Sequence, residues 1–340
     1  MADGKKPSGL KSILIVILII VVLILIIIWV ITIKVMQLGR YWRMKDTSNL
    51  YHLSLKYPSL PRASEHRVVI SFTTIPDRIK YLGPTLASIF DQTVKVDEIC
   101  LNVPFISRKG LKYKIPKWLQ QLKGVTIYRV EKDEGPGTKL LPTLRRERDR
   151  TVERTEHGHG FSMFHDTRII AIDDDNIYHP DTICHLVDTF EDNISRGRIS
   201  AMSNYGLILD RSGKIPGIKH RADAMFCGQR EIDLLQGFSG FIVTPSMFPE
   251  RAYEIKDCPD EAISVDDIWF SGWLKLNGIP IESTGSIYMR FPQMNNGKMR
   301  KTPALAKNEN KNFVTDQIVV DWLINDMGFP LVRRGQLLCE

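Results

Sequence analysis

The chain has 340 residues, 43% of them hydrophobic, which is enough for the core of one large domain or two small ones and excludes a disordered protein. Its net charge of +7 comes from scattered Lys and Arg with no base-stacking motif, so an anionic small molecule or a membrane surface accounts for it and nucleic acid does not. Five cysteines, Cys100, Cys184, Cys227, Cys258 and Cys339, are odd in number and widely spaced with no C-x-x-C pair, which excludes a disulfide framework or zinc site and leaves room for one bridge at most.

Residues 1–12 form a short tail. Residues 13–33 are almost wholly Ile, Leu and Val without a charge, and the roughly 32 Å of helix they make is enough to cross a bilayer. No small-residue cleavage pattern follows, so the segment is expected to remain as a signal-anchor. Lys5, Lys6 and Lys11 precede it and Lys34, Arg40, Arg43 and Lys45 follow, so the positive-inside rule gives no orientation. The sequon Asn193-Ile194-Ser195 is compatible with a lumenal domain. The expectation is a single-pass membrane protein of type II with its catalytic domain in a Golgi- or ER-like lumen. Residues 34–64 lose the apolar period and contain Pro58 and Pro61, which reads as a stem before one domain over residues 65–335.

Within that domain strand and helix patterns alternate. Residues 68–72 read as a strand, residues 81–90 as a helix on Leu82, Leu86, Ile89 and Phe90, and residues 98–103, 125–130 and 169–173 as further strands. This alternation predicts an α/β fold with a mainly parallel sheet flanked by helices. Between the third and fourth strands, Gly135 and Gly137 precede a helix expected to start at Thr138. Backbone amides there, with Lys139 beside them, suit a phosphate or nucleotide; an ordinary turn is the competing reading, and the Walker A spacing is missing. Residues 145–160 read as a solvated helix end and loop, in preference to a metal site on His157, His159 and His165.

The fourth strand ends in Asp173-Asp174-Asp175-Asn176. If the strand persists, Asp173 and Asp175 share a face and Asp174 points away, giving a two-carboxylate claw for Mg2+ or Mn2+ at the C-terminal end of a buried strand. A solvated acidic turn before the helix near Pro180 and Asp181 competes with this. An EF-hand does not, because Ile177 and Tyr178 stand where it needs an oxygen ligand and a glycine.

Residues 199–209 suggest another strand, and Gly237-Phe238-Ser239-Gly240 before Ile242 suggests either close approach of a substrate or a bulge. Residues 264–274 read as a helix capped by Ser264 and Asp267, with a general base as the functional alternative for Asp266 or Asp267. Trp269 and Trp273, one helical turn apart, suit the core or a sugar site.

Together, residues 71–76 after the first strand, 135–139, 172–175, 237–240 and 265–267 resemble the GT-A glycosyltransferases, especially family-2-like enzymes, over roughly residues 67–325. The resemblance implies a GT-A fold and a nucleotide-diphosphate-sugar donor, with Thr73, Thr74, Pro76 and Arg78 near its base and ribose and Lys139 in the nucleotide pocket. Asp173-Asp174-Asp175 would be the DXD motif. Asp175 would ligate Mn2+ or Mg2+, and Asp173 or Asp174 would sit near the ribose or the same metal. Asp267, or its neighbour Asp266, would be the catalytic base of an inverting transfer. Gly237 to Gly240 would lie at the acceptor side, and the acceptor would be a glycan, lipid or protein. The late histidine of many such enzymes has no counterpart, His220 being the last. A non-catalytic carbohydrate-binding or scaffold protein of the same shape and another metal-dependent phosphate enzyme are the rival classes.

Overall fold

A computed structural model describes residues 9–156, 166–210, 212–215, 229–285, 294–295 and 313–331. His157, His159, His165, His220, Cys227 and Cys339 lie outside these residues. The strands are β1 Val68–Thr73, β2 Glu98–Pro104, β3 Thr126–Val130, β4 Arg168–Ala171, β5 Asn176–Ile177, β6 Ala201–Ser203, β7 Gly206–Leu207, β8 Arg230–Ile232, β9 Leu234–Leu235, β10 Phe241–Val243, β11 Ile281–Ser283 and β12 Met294–Asn295. The helices are α1 Gly9–Lys45, α2 Thr47–Lys56, α3 Gly83–Phe90, α4 Lys117–Gln121, α5 Leu141–Glu156, α6 Thr182–Ser195, α7 Asp266–Leu276 and α8 Val314–Asn325.

Eight strands form one mixed sheet in the order β3-β2-β1-β4-β10-β6-β11-β8. Strands β1 to β4 are parallel neighbours, β10 runs antiparallel to both β4 and β6, and β11 is parallel to β6. The sheet is mainly parallel and flanked by helices, as the alternating pattern predicts. Its centre is the Val-Val-Ile-Ser-Phe run of β1 and the Ile-Ile-Ala run of β4, all buried, because strands covered on both faces need apolar side chains at every position. Ser71 is the polar exception in β1, and its hydroxyl is used in the site described below. Trp269 and Trp273 belong to the core: Trp269 donates its indole N–H to the Ala252 carbonyl at 3.0 Å and stacks on Trp322 of α8.

Three local expectations change. Residues 34–64, read from the sequence as an aperiodic stem, are largely helical. Residues 34–45 continue α1 without a break, and α2 with the 3-10 turn that follows it places Leu50, Leu53 and Tyr57 in the core, where the Tyr57 ring meets Phe90 and its hydroxyl accepts from the Val96 amide at 3.0 Å. The helix expected at Thr138 starts at Leu141, after a 3-10 turn over Gly135–Lys139. Ser264 does not cap α7; Val265 is the cap residue and no side chain bonds there, which leaves both Asp266 and Asp267 at the first turn.

The sequon also changes meaning. Asn193 lies within α6 with no exposed surface, and its amide donates to Ser200 at 2.9 Å and to Glu282 at 3.4 Å. A glycan cannot occupy that nitrogen in the folded protein, so the sequon does not support a lumenal domain.

Candidate active site

The site lies at the C-terminal ends of β1 and β4, where the sheet passes from parallel to antiparallel pairing between β4 and β10. Strand β4 stops at Ala171. Asp173 is then recaptured by Tyr178, whose buried hydroxyl accepts from the Asp173 amide at 2.9 Å and donates to the Asp173 carbonyl at 3.2 Å. Asp174 and Asp175 fall in the resulting turn, so the expected alternation of faces does not hold.

The three carboxylates separate. Asp173 turns to Lys139, with Nζ to Oδ1 at 2.9 Å. Asp174 is buried between Thr74, whose hydroxyl donates to it at 2.6 Å, and Arg78, which donates at 3.0 Å, while its own carbonyl accepts from Thr85 at 2.7 Å. Asp175 shares Arg78 at 3.4 Å and accepts from Asn176 at 3.4 Å. Arg78 reaches both because Pro76 turns the chain, with the Arg78 amide donating to the Ile75 carbonyl at 3.0 Å. Of the predicted nucleotide contacts, Thr74 and Arg78 therefore meet the aspartates. Thr73 does not, since its hydroxyl donates to the Asn102 carbonyl at 2.8 Å.

Lys139 is the centre of the cluster. Its side chain is 5% exposed, and Nζ lies 2.9 Å from Asp173, 2.9 Å from Asp266 and 3.3 Å from Asp267. Its carbonyl accepts from Ser71, whose hydroxyl also meets Thr143 at 2.6 Å and accepts from Asn102 at 3.1 Å. This buried polar set fixes the lysine backbone to β1, β2 and α5. Burial disfavours the Lys139 ammonium, but the carboxylates of Asp173, Asp266 and Asp267 outweigh it and raise the lysine well above its usual range.

Asp267 accepts from the Gly237 amide at 2.8 Å, and Asn176 donates to the Phe238 carbonyl at 3.1 Å. The loop at residues 237–240 thus bridges the aspartate turn and the start of α7. A Cβ on Gly237 would lie 2.2 Å from Lys139 Nζ and 2.7 Å from Asp267 Oδ1, so a side chain there would force one or both of these ion-paired groups to shift.

Five carboxylates, those of Asp173, Asp174, Asp175, Asp266 and Asp267, are in direct contact with two cations, Lys139 and Arg78. Burial, then Asp174 and Asp173, push Asp175 up to about 7, and burial pushes Asp266 up to about 7 against the pull of Lys139. Burial raises Asp174 and Asp267 as well. Among the described residues, no group of three or more His, Cys, Asp or Glu side chains is arranged to hold a metal ion. Asp173 and Asp175 are the most open of the three turn aspartates, 33% and 22% exposed, and carboxylate oxygens are the donor type that hard divalent cations take.

Sequence reasoning missed the residues that hold this site in shape. Thr85, Asn102, Thr143 and Tyr113, whose hydroxyl donates to the Thr74 carbonyl at 3.0 Å, lie far in sequence from what they position, while Tyr178 stands close to Asp173 in the chain. Tyr178 carried a local signal, an aromatic residue closing the acidic turn.

No protein-family model matches the chain, and no curated protein does. Among solved structures, the chain is similar to residues 1–349 of TarS from S. aureus, at 14% sequence identity and a TM-score of 0.38, over 66% of this chain and 58% of that one.

Proposed function

We propose that the chain is a metal-dependent glycosyltransferase of the GT-A kind, moving a sugar from a nucleotide-diphosphate donor to an acceptor hydroxyl with inversion. The observation that carries this reading is the convergence of the aspartate turn after β4, the first turn of α7 and the loop at residues 237–240 on one buried lysine. Such a cluster combines a surplus of negative charge, which attracts a divalent cation, with a lysine suited to a diphosphate.

Asp175 and Asp173 would hold Mn2+ or Mg2+, and the cation would supply neutralisation of the departing diphosphate. Thr74, Arg78 and Asp174 form the wall suited to the nucleoside. Asp267 is favoured over Asp266 as the base: it is 23% exposed against 8%, and its contact with Lys139 is the longer. In the proposed step the acceptor oxygen forms a bond to the anomeric carbon, its proton passes to Asp267, and the bond to the diphosphate breaks with the electron pair leaving on the phosphate oxygen. Lys139 stabilises that leaving charge. Helix α1, 37 residues long and apolar enough to cross a membrane, would be the single-pass anchor.

The test is release of nucleoside diphosphate from a panel of nucleotide sugars by the full chain in detergent, with Mn2+ or with EDTA and with a broad acceptor panel. Metal-dependent release lost in Asp175→Ala is the expected result. Donor binding without release under every acceptor would overturn it in favour of a non-catalytic carbohydrate-binding protein.

A further inference from the structure

We propose that a polar stripe on α3 is the template of the aspartate turn: Thr85, Ser88 and Gln92, with Tyr178 beside the turn, are positioning residues that set the affinity of Asp173 and Asp175 for a divalent cation. The inference rests on the metal-dependent reading. A helix that covers a sheet turns apolar side chains inward, and Leu86, Ile89 and Phe90 of α3 do so. Thr85 and Ser88 are just as buried, and so is Gln92, just past the end of the helix. Spacings of three and four residues put these polar side chains on one face.

All three bond to the main chain between Asp174 and Ile183. Thr85 donates to the Asp174 carbonyl at 2.7 Å, and Ser88 accepts from the Tyr178 amide at 3.0 Å. Gln92 donates to the His179 carbonyl at 2.7 Å and accepts from the Ile183 amide at 3.0 Å. Asp174 lies past the end of β4 and Ile183 stands in the first turn of α6, places where regular structure leaves main-chain groups without a partner, and the stripe supplies one. Tyr178, its amide held by Ser88, returns its hydroxyl to the amide and carbonyl of Asp173. The turn is thus fixed on both sides of Asp175. A divalent cation takes carboxylate oxygens at about 2.0–2.6 Å, so a small shift of this main chain changes how well Asp173 and Asp175 reach one ion. Side chains that orient metal ligands from behind govern affinity by roughly 10- to 100-fold.

The experiment reads Mn2+ binding by the full chain in detergent from the EPR signal of the free ion, alone and with nucleoside diphosphates, well below the melting temperature of each variant. Thr85→Val keeps the shape and removes the hydroxyl, whereas Thr85→Ser keeps the hydroxyl and removes the methyl. Affinity is expected to fall on the order of tenfold in Thr85→Val and in Tyr178→Phe and to stay near native in Thr85→Ser. The Mn2+ concentration for half-maximal diphosphate release should rise by the same factor, with release at saturating Mn2+ little changed. Ser200→Ala removes a buried hydroxyl that meets Asn193 and not the turn, and should leave Mn2+ affinity as it is. Native affinity in Thr85→Val or Tyr178→Phe, or an equal loss in Thr85→Ser or Ser200→Ala, overturns the inference and leaves the metal-dependent reading standing. If Thr85→Val does not fold, Tyr178→Phe decides. No Mn2+ bound by the native chain under either condition, or binding that persists in Asp175→Ala, refutes that reading and the inference with it.

Discussion

Gly237 and Lys139 are in contact across the site: a methyl group built on the glycine would stand 2.2 Å from the lysine Nζ. The loop that carries Gly237 therefore closes on the ion cluster with no slack, and the position of the lysine depends on the absence of one side chain.

Gly237→Ala is expected to displace Lys139 or the loop while leaving the core intact. Turnover should fall on the order of a hundredfold, the cost of a misplacement of about 1 Å at a reacting centre, with the melting temperature little changed. Parallel kcat and thermal-melt measurements check this, and a large loss of stability would contradict it.

Lys139→Met keeps the volume and removes the charge. Three carboxylates then face one another without their cation, and breaking a buried ion pair from one side costs roughly 3–5 kcal/mol. Urea unfolding in EDTA should show that loss, and Mn2+ should restore part of it.

Asp175 gives the pH dependence. Its ordinary value of 3.8 is raised to about 7 in the folded protein, so the folded state holds a proton that the unfolded chain has released across this window. Its contribution to stability is fully present below about pH 4 and is lost as the pH rises through about 7. In EDTA the Asp175→Asn variant should therefore lose less stability than the native chain between about pH 5 and about pH 8. Added Mn2+ should flatten the native curve, with thermal melts across the range as the measurement.

A chain starting at Asp46 keeps α2 and its cap, in which the Asp46 carboxylate accepts from the Ser48 amide at 2.9 Å. A chain starting at Glu65 loses Leu50, Leu53 and Tyr57 from the core, at roughly 1.5–3 kcal/mol for each buried side chain. The first is expected to purify as a soluble folded domain and the second to unfold at distinctly lower urea or to precipitate.

The α/β class was legible because the apolar runs of β1, β2 and β4 and the helix period of α3 are long enough to carry a pattern. Strand β10 was harder to read, since three residues carry no period, and its antiparallel register with β4, Phe241 opposite Ala171, depends on contacts across 70 residues of chain. The aspartates, Lys139 and the glycine loop were legible as candidates because charges and glycines after apolar runs stand out. Their division was not: that Asp173 turns to Lys139 while Asp174 turns to Thr74 and Arg78 follows from where β4 stops and from Tyr178 holding Asp173. Leu50, Leu53 and Tyr57 carry a helical spacing that places them in the core, a pattern too short to stand out beside Pro58 and Pro61.

The burial of Asn193 sets up a race in any host that attaches glycans to nascent chains. A chain modified at Asn193 before α6 packs could not close that helix against Ser200 and Glu282, whereas a chain that folds first hides the nitrogen from the enzyme. Expression in a secretory host would then divide the product into a folded, bare fraction and a glycosylated, misfolded one. Bacterial cytoplasm, or slow glycan transfer, favours the first.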